Sequence, residues 1–281
     1  MSWSLCENVE EFLGRRGDVL SSNESLHCLA LGMCERAQTS AADPANHSFL
    51  TFEEAGGSSA HAIVMHASEA LVISDITDAQ ARELSAALTT NAIELKMAEG
   101  PVRATVAFSE AWSRTHGRPF THQMDQGLYE VTHVIRPDPA DGSMVPAVFE
   151  HEDLLRAFLA GFHDDCFPGR PFPTEQLHAR VRRLINEEKG VLWRDRDGAL
   201  VAMAAVVRES QKTSSISLVY TPPEHRRRGH AGRLVGELSH EQLTSGKEAC
   251  NLHADMKNAT AHGVYTRLGY KKIAQSIRVD L

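Results

Sequence analysis

The chain has 281 residues, a formal charge of −8, 42% hydrophobic residues and 23% charged residues. At about 150 residues per domain this length predicts two domains, and the apolar share is enough for packed cores, which excludes wholesale disorder. The 19 Gly and 11 Pro follow no period, which excludes a collagen-like chain, and the acidic balance argues against a broad nucleic-acid-binding surface.

The longest mostly apolar run, residues 199–207, falls short of the ~20 that a membrane-spanning helix needs. Residues 1–17 carry Glu7, Glu10 and Glu11 and no long apolar stretch, so no signal peptide is expected and the reading is cytoplasmic, without a membrane partner. The five cysteines (Cys6, Cys28, Cys34, Cys166 and Cys250) form no C-x-x-C pair, so reduced, mostly buried thiols are expected rather than disulfides or zinc. The 15 histidines show no ligand spacing, and no metal is expected.

In chain order, Glu53–Ser59 with Gly56-Gly57 reads as a turn, His61–His66 and Ala70–Ser74 as paired strands, and Asp78–Leu88 and Thr105–His116 as helices. Arg136–Ser143, with Pro137, Pro139 and Gly142, reads as a linker or exposed loop. It divides the chain into domains at 1–137 and 143–281. Beyond it, Leu154–Phe162 and Thr174–Glu187 have helical periodicity. Val191–Trp193 and Ala199–Arg208 read as strands joined through an Asp-Gly turn. Ser214–Thr221 is a third strand, with Ile216, Leu218 and Tyr220 on one face by the period-two rule.

Ala231, Leu234, Val235, Leu238 and Gln242 then mark a helix that Gly246 ends. Ala249–Ala254 is a strand, Ala259–Leu268 a helix, and Tyr270–Val279 a last strand or two. The whole is a mixed α/β chain. The first half echoes the strand-strand-helix order of the second, without a residue-level repeat.

Chemistry concentrates in Val219–Ala231, where a strand enters Pro222-Pro223, a basic loop at Arg226-Arg227-Arg228-Gly229-His230, and an amphipathic helix. This geometry aims backbone N–H groups and the positive end of a helix at one spot, which suits a diphosphate. Gly229 permits close backbone approach, Ala231 keeps the first turn small, and arginines add charge-assisted bonds. A solvated basic loop capping an ordinary helix is the other reading of this pattern. Downstream, Asn258 suits an N-cap, Tyr265 lies two helical turns on, and Gly269 stops the helix. Tyr265 is either a half-buried core aromatic or a proton donor to a thiolate.

Together Arg226-x-x-Gly229-x-Ala231 and Asn258–Tyr270 resemble the GNAT superfamily of acyl-CoA-dependent N-acyltransferases. They are similar to its Q/R-x-x-G-x-G/A loop and its N-x-x-[S/A]-x-x-x-Y-x-x-x-G-[F/Y] signature. The likeness is to a bacterial two-domain branch, distantly like glycine N-acyltransferases, and is strongest over about residues 190–281. It implies a GNAT fold in the C-terminal half and a degenerate GNAT-like domain in the N-terminal half. It further implies acetyl-CoA as cosubstrate, with Val219, Tyr220 and Thr221 pairing with the pantetheine arm. Arg226, Arg227, Arg228, Gly229, His230, Ala231 and Gly232 would hold the pyrophosphate, Asn258 would orient the arm, and Tyr265 would protonate the departing thiolate.

The branch carries Pro, Ser and Asn where this chain has Ala259, Ala261 and His262, which implies fewer polar contacts to the cofactor. It also places a Glu base on the strand that here reads Ser214–Leu218, and none is present; Asp255, His253 and Glu209 are the nearby alternatives, and direct attack by a neutral amine is another. Between Gly57 and Gly100 there is no glycine, so the first half offers no such loop. It would either shape the acceptor site or serve as a structural partner. The resulting expectation is transfer of acetyl to a primary amine of a small or amino-acid-like molecule in a ternary complex, by a monomer or homodimer. The alternative is a non-catalytic acyl-CoA-binding or regulatory protein.

Overall fold

The computed structural model describes residues 2–39, 46–53, 59–137 and 142–281. Contacts divide the chain into two compact units: Met1–Leu128 with Ala254–Asn258 and Lys272–Leu281, and Tyr129–His253 with Ala259–Lys271.

The first unit contains β1 (Trp3–Leu5), α1 (Val9–Ser22), α2 (Cys28–Thr39), β2 (His47–Glu53), β3 (Ser59–Met65), β4 (Ala70–Ile73), α3 (Asp78–Thr90), β5 (Met97–Pro101) and α4 (Val102–His116). β6 (Thr121–Val131) starts in this unit. The sheet runs β1-β2-β3-β4-β5 and continues into β12 (Lys271–Asp280), the last strand of the chain. Only β4 and β5 pair in parallel; the other neighbours in this row are antiparallel. Because side chains alternate along a strand, β2 and β3 build two cores. Phe49 and Ile63 pack with Phe12, Leu20 and Met33 of α1 and α2, whereas Leu50, Ala62 and Val64 pack with Leu84, Leu88 and Phe108 of α3 and α4.

The second unit repeats that order with β7 (Gly142–Pro146), α5 (Glu152–Cys166), α6 (Thr174–Asn186), β8 (Gly190–Asp195), β9 (Leu200–Glu209), β10 (Thr213–Tyr220), α7 (His230–Thr244), β11 (Ala249–Asp255) and α8 (Ala259–Arg267). Its strands lie in the order β7-β8-β9-β10-β11. Again the fourth and fifth, β10 and β11, pair in parallel. Both units therefore share one sequence of elements, β-α-α-β-β-β-α-β-α, which is a duplication at the level of fold. One core of this unit joins Leu155, Phe158 and Leu159 of α5, Val181, Leu184 and Ile185 of α6, and Leu192, Met203 and Leu218 of the sheet. Each such fully buried side chain contributes roughly 1.5–3 kcal/mol.

The strands and helices expected between 61 and 116 are present, as are those between 154 and 279. α1, α2, β1, β2, β5, β6 and β7 were not expected. Of the expected linker, residues 138–141 lie outside the described residues, as does the Gly56-Gly57 turn. Its end is corrected by the structure, because Gly142 and Ser143 begin β7 and pair with Asp195 and Arg194 of β8. The single face expected for Ile216, Leu218 and Tyr220 is also corrected. Leu218 and Tyr220 pack with the α5–α6 core and Ile216 does not. An irregular register along β10 breaks the strict alternation there. None of the five cysteines is in a disulfide, and four of them are buried. Burial pushes the Cys34 and Cys250 thiols up to about 12, which keeps them protonated.

Candidate active site

β10 is antiparallel to β9 and parallel to β11, but the two ladders end differently. The register with β11 covers Thr213–Ser215 opposite Ala249–Asn251, and among the described residues β10 has no further pairing with it. On the other side, β10 spends three steps from Ser217 to Tyr220 while β9 spends two from Ala205 to Met203. That extra residue is a β-bulge, and Leu218 sits in it at φ +56°. A bulge bends its strand and re-aims the side chains that follow. Val219, Tyr220 and Thr221, all half-buried, therefore have no pairing with β11 among the described residues, while Tyr220 still pairs with Met203 of β9.

Tyr220 is seated against α5. A Cβ at Gly161 would stand 2.2 Å from the Tyr220 hydroxyl oxygen, so only glycine lets the phenol lie there. The Phe158 ring lies 5.9 Å away, and the Arg226 guanidinium carbon stands 5.7 Å from the Tyr220 ring centre. Burial, and then the charge of Asp165, push this phenol above its ordinary range. Arg226 is held from two sides: Nε donates to the Thr221 carbonyl at 2.9 Å and a terminal nitrogen meets Asp165 at 2.5 Å. Its side chain fixes the exit of β10 as well as lending charge to the loop. Gly161 and Asp165 were missed from sequence; a glycine within the helical pattern 154–162 was the one signal for a close approach.

The loop then turns through Arg227 at φ +64° and Gly229 at φ +82° into α7. Gly229 is the residue before the first helical turn, and no side chain caps the helix there. The first backbone bond back to the turn is Arg233 N–H to the Gly229 carbonyl at 3.1 Å. The N–H groups of His230, Ala231 and Gly232 thus lack intrahelical acceptors, the arrangement that binds anionic oxygen at a helix start. Arg227 and Arg228 are exposed alongside. Arg233 closes the loop from within the helix by donating to the Arg228 carbonyl at 2.8 Å. The His230 side chain is buried instead of facing the loop, with neither ring nitrogen hydrogen-bonded. Burial, followed by the Arg233 charge, lowers its pKa and keeps it neutral. Its contribution to the cradle is its backbone.

α8 carries Tyr265, which is 8% exposed, its ring centre 6.0 Å from that of Tyr270. Burial, with Cys166 adding to it, raises the phenol well above its ordinary range, so it holds its proton. Its hydroxyl has no hydrogen-bond partner among the described residues. A buried donor in that state is suited to meeting an incoming acceptor. Asn258 immediately precedes α8, and its N–H donates to the Asp255 carbonyl at 2.9 Å. Three residues before Tyr265, His262 Nδ1 lies 2.6 Å from the Tyr129 hydroxyl, a contact sequence reading did not anticipate.

Two of the three candidate bases already have structural work. Glu209 stands 3.4 Å from Lys189 and 3.8 Å from Lys247. Asp255 accepts from the Lys257 N–H at 2.8 Å and shapes the turn there. Among the described residues no group of three or more His, Cys, Asp or Glu side chains is placed to hold a metal ion. No helix among them is long and apolar enough to cross a membrane.

Residues 195–279 match the family model of FR47-like proteins. No curated protein matches the chain in sequence. Among solved structures, a Drosophila protein is similar at 14% identity with a TM-score of 0.68, the match covering 99% of this chain and 98% of that one. A GNAT-family acetyltransferase from Colwellia psychrerythraea is similar at 14% identity and TM-score 0.58, over 100% and 99%. A tandem GNAT protein from the clavulanic acid biosynthesis pathway is similar at 11% identity and TM-score 0.53, over 100% and 98%. At these identities the likeness is one of fold, and it extends over both units.

Proposed function

We propose, on the premise that this chain is a GNAT-superfamily protein by its fold and its FR47-like segment, that it is an acetyl-CoA-dependent N-acetyltransferase. Its acceptor on this reading is a primary amine of a small or amino-acid-like molecule, acetylated directly in a ternary complex. The observation that carries the reading is the uncapped start of α7 behind Gly229, next in the chain to a bulged β10 whose ladder with β11 stops at Ser215.

These features fit the cosubstrate. The N–H groups of His230, Ala231 and Gly232 would donate to pyrophosphate oxygens, with Arg227 and Arg228 supplying charge. The backbone of Val219, Tyr220 and Thr221, without a β11 pairing among the described residues, suits an amide-bearing arm, which would add to it as a strand would. Bound acetyl-CoA supplies the acyl thioester. Tyr265, kept protonated by burial, gives its proton to the departing thiol sulfur. Asn258, at the entrance to α8, completes the set. Glu209 and Asp255 are engaged elsewhere, which leaves His253 or water to take the proton from the amine. That same engagement favours a second reading, a non-catalytic acyl-CoA-binding protein.

The deciding experiment titrates acetyl-CoA into the full chain during thermal melts, then adds a panel of amines and follows thiol release. A ligand at about 100 times its dissociation constant adds roughly 2.7 kcal/mol of apparent stability. A shift with amine-dependent thiol release supports the enzyme, and a shift without turnover supports the binding protein. No shift overturns both. Mass measurement under native conditions separates monomer from homodimer.

A further inference from the structure

The last turn of α5, which ends at Cys166, meets three parts of the site within the second unit. A Cβ at Gly161 would stand against the Tyr220 hydroxyl. Asp165 Oδ2 takes the Arg226 guanidinium at 2.5 Å, and Arg226 Nε donates to the Thr221 carbonyl at 2.9 Å. Cys166 stands close enough to Tyr265 for its charge to act on that phenol. This helix end therefore reaches both the exit of β10 and the surroundings of Tyr265. The Tyr265 side chain is 8% exposed, and its hydroxyl has no hydrogen-bond partner among the described residues.

Arg226 uses one oxygen of Asp165. The other, Oδ1, has no hydrogen-bond partner among the described residues, and the side chain is 52% exposed. Arg226 thus fixes the carboxylate without covering it. The charges around the Tyr220 hydroxyl do not balance: the carboxylates of Asp165 and Glu224 both act on it, against the one guanidinium of Arg226. Glu224 is exposed and has no ion pair among the described residues. Asp164 adds another exposed carboxylate, and the C-terminal end of a helix carries partial negative charge of its own. The sum is a net negative charge at an accessible point beside the site.

We propose that Asp165 Oδ1 binds the ammonium group of the acceptor, and that the acceptor is a simple alkylamine or diamine rather than an α-amino acid. This rests on the acetyl-CoA reading above and narrows its acceptor. The carboxylate of an α-amino acid would lie next to its ammonium group and meet Asp164, Asp165 and Glu224 with like charge, which costs affinity. Asp165 holds the amine and takes no part in bond making or breaking. The two helix ends then sort the two substrates by charge, the anionic cosubstrate at the start of α7 and the cationic amine at the end of α5.

The test follows thiol release by the full chain with acetyl-CoA and each of propylamine, putrescine and glycine, beside calorimetric titration of acetyl-CoA. Asp165→Asn is compared with the parent, since its amide oxygen can still accept from Arg226. The KM for propylamine is expected to rise about tenfold or more, with kcat and acetyl-CoA affinity within about threefold of the parent. The parent should favour propylamine and putrescine over glycine at least about tenfold in kcat/KM. An unchanged KM in Asp165→Asn overturns the assignment. A loss of kcat or of acetyl-CoA affinity in place of the KM effect also overturns it, because the side chain would then act in the chemistry or through the loop. So does a parent that favours glycine, and this comparison decides even if the variant does not fold. A parent that binds acetyl-CoA but releases no thiol with any of the three amines overturns the acceptor assignment and leaves the acyl-CoA reading standing. Absence of acetyl-CoA binding by the parent overturns that reading, and the assignment with it.

Discussion

Thr77 and Gly229 hold the same place in the repeated element order, each preceding the helix that follows the fourth strand of its unit, and they treat that helix start in opposite ways. Thr77 closes α3 with a capping box: its side chain accepts from the Gln80 N–H at 3.3 Å, and the Gln80 side chain accepts from the Thr77 N–H at 2.8 Å. Gly229 leaves α7 open. One helix-start donor, the Gln80 N–H, is taken by a side chain in the first unit, whereas no side chain caps the start in the second. Thr77→Ala should therefore lower stability by about 1 kcal/mol and leave acetyl-CoA affinity unchanged. Urea melts and calorimetry on the same preparation check both halves; a change in affinity would place the cofactor elsewhere.

Gly229→Val tests the open start directly. A branched side chain at φ +82° is strained, at about 1–2 kcal/mol, and its Cβ would stand 3.0 Å from an Arg233 nitrogen. That nitrogen ends a flexible side chain, so the fold should survive while the bulk of valine fills the space before the His230, Ala231 and Gly232 amides. The stabilising shift with acetyl-CoA should vanish in a thermal melt. An undiminished shift would remove the phosphate cradle from this loop.

Much of this second-unit site is legible in sequence because it is local. Arg226 to Ala231 and Asn258 to Tyr270 are short segments whose chemistry follows from residue order, and the uncapped helix start falls where the glycine puts it. What could not be read was non-local. The bulge at Leu218 depends on how β10 registers with β9, so strict alternation misplaced Ile216. Asp165 meets Arg226 and Tyr129 meets His262 across 61 and 133 residues, and neither partner lies in a recognisable pattern. In the first half, α1 escaped notice because Arg16 is buried among its apolar residues and blurs the stripe. The fold repeat itself is carried by element order and packing, which residue-by-residue comparison of the halves cannot detect.

Tyr265→Phe separates chemistry from packing. The hydroxyl makes no bond within the described residues, so its loss should change stability by less than about 0.5 kcal/mol. As the proton donor to the leaving thiol it should matter about 10²–10⁴-fold in turnover, with acetyl-CoA affinity within about threefold of the parent. Steady-state kinetics with any amine found active, beside a binding titration, measure both. Unchanged turnover would remove Tyr265 from the proton path.

Gly161→Ala should destabilise the second unit by about 1–3 kcal/mol, the usual result of inserting a methyl into filled space. The added carbon would stand 2.2 Å from the Tyr220 hydroxyl oxygen. Combining it with Tyr220→Ala should make the pair less damaging than the sum of the single changes, because the clash has gone. A double-mutant cycle from urea melts reads the coupling, and strict additivity would show that α5 relieves the contact by moving.

His61 predicts acid sensitivity of the first unit. It is 3% exposed on β3, with Nδ1 unpartnered and the His27 ring 5.7 Å away. Burial first, then the charges of His27 and Arg16, pull its pKa down to about 3, against about 6.5 in an unfolded chain. Between those values the unfolded chain binds a proton that the folded chain refuses, so stability falls as pH falls through this window. One such group gives a slope of up to about 1.4 kcal/mol per pH unit. His27, also lowered mainly by burial, adds to the slope. His61→Phe, whose ring keeps the contact with Phe12, should remove up to one proton's worth of slope from urea melts taken between pH 7 and 4.5. An unchanged slope would mean that His61 gains its proton without unfolding the unit, for instance by turning its ring toward water.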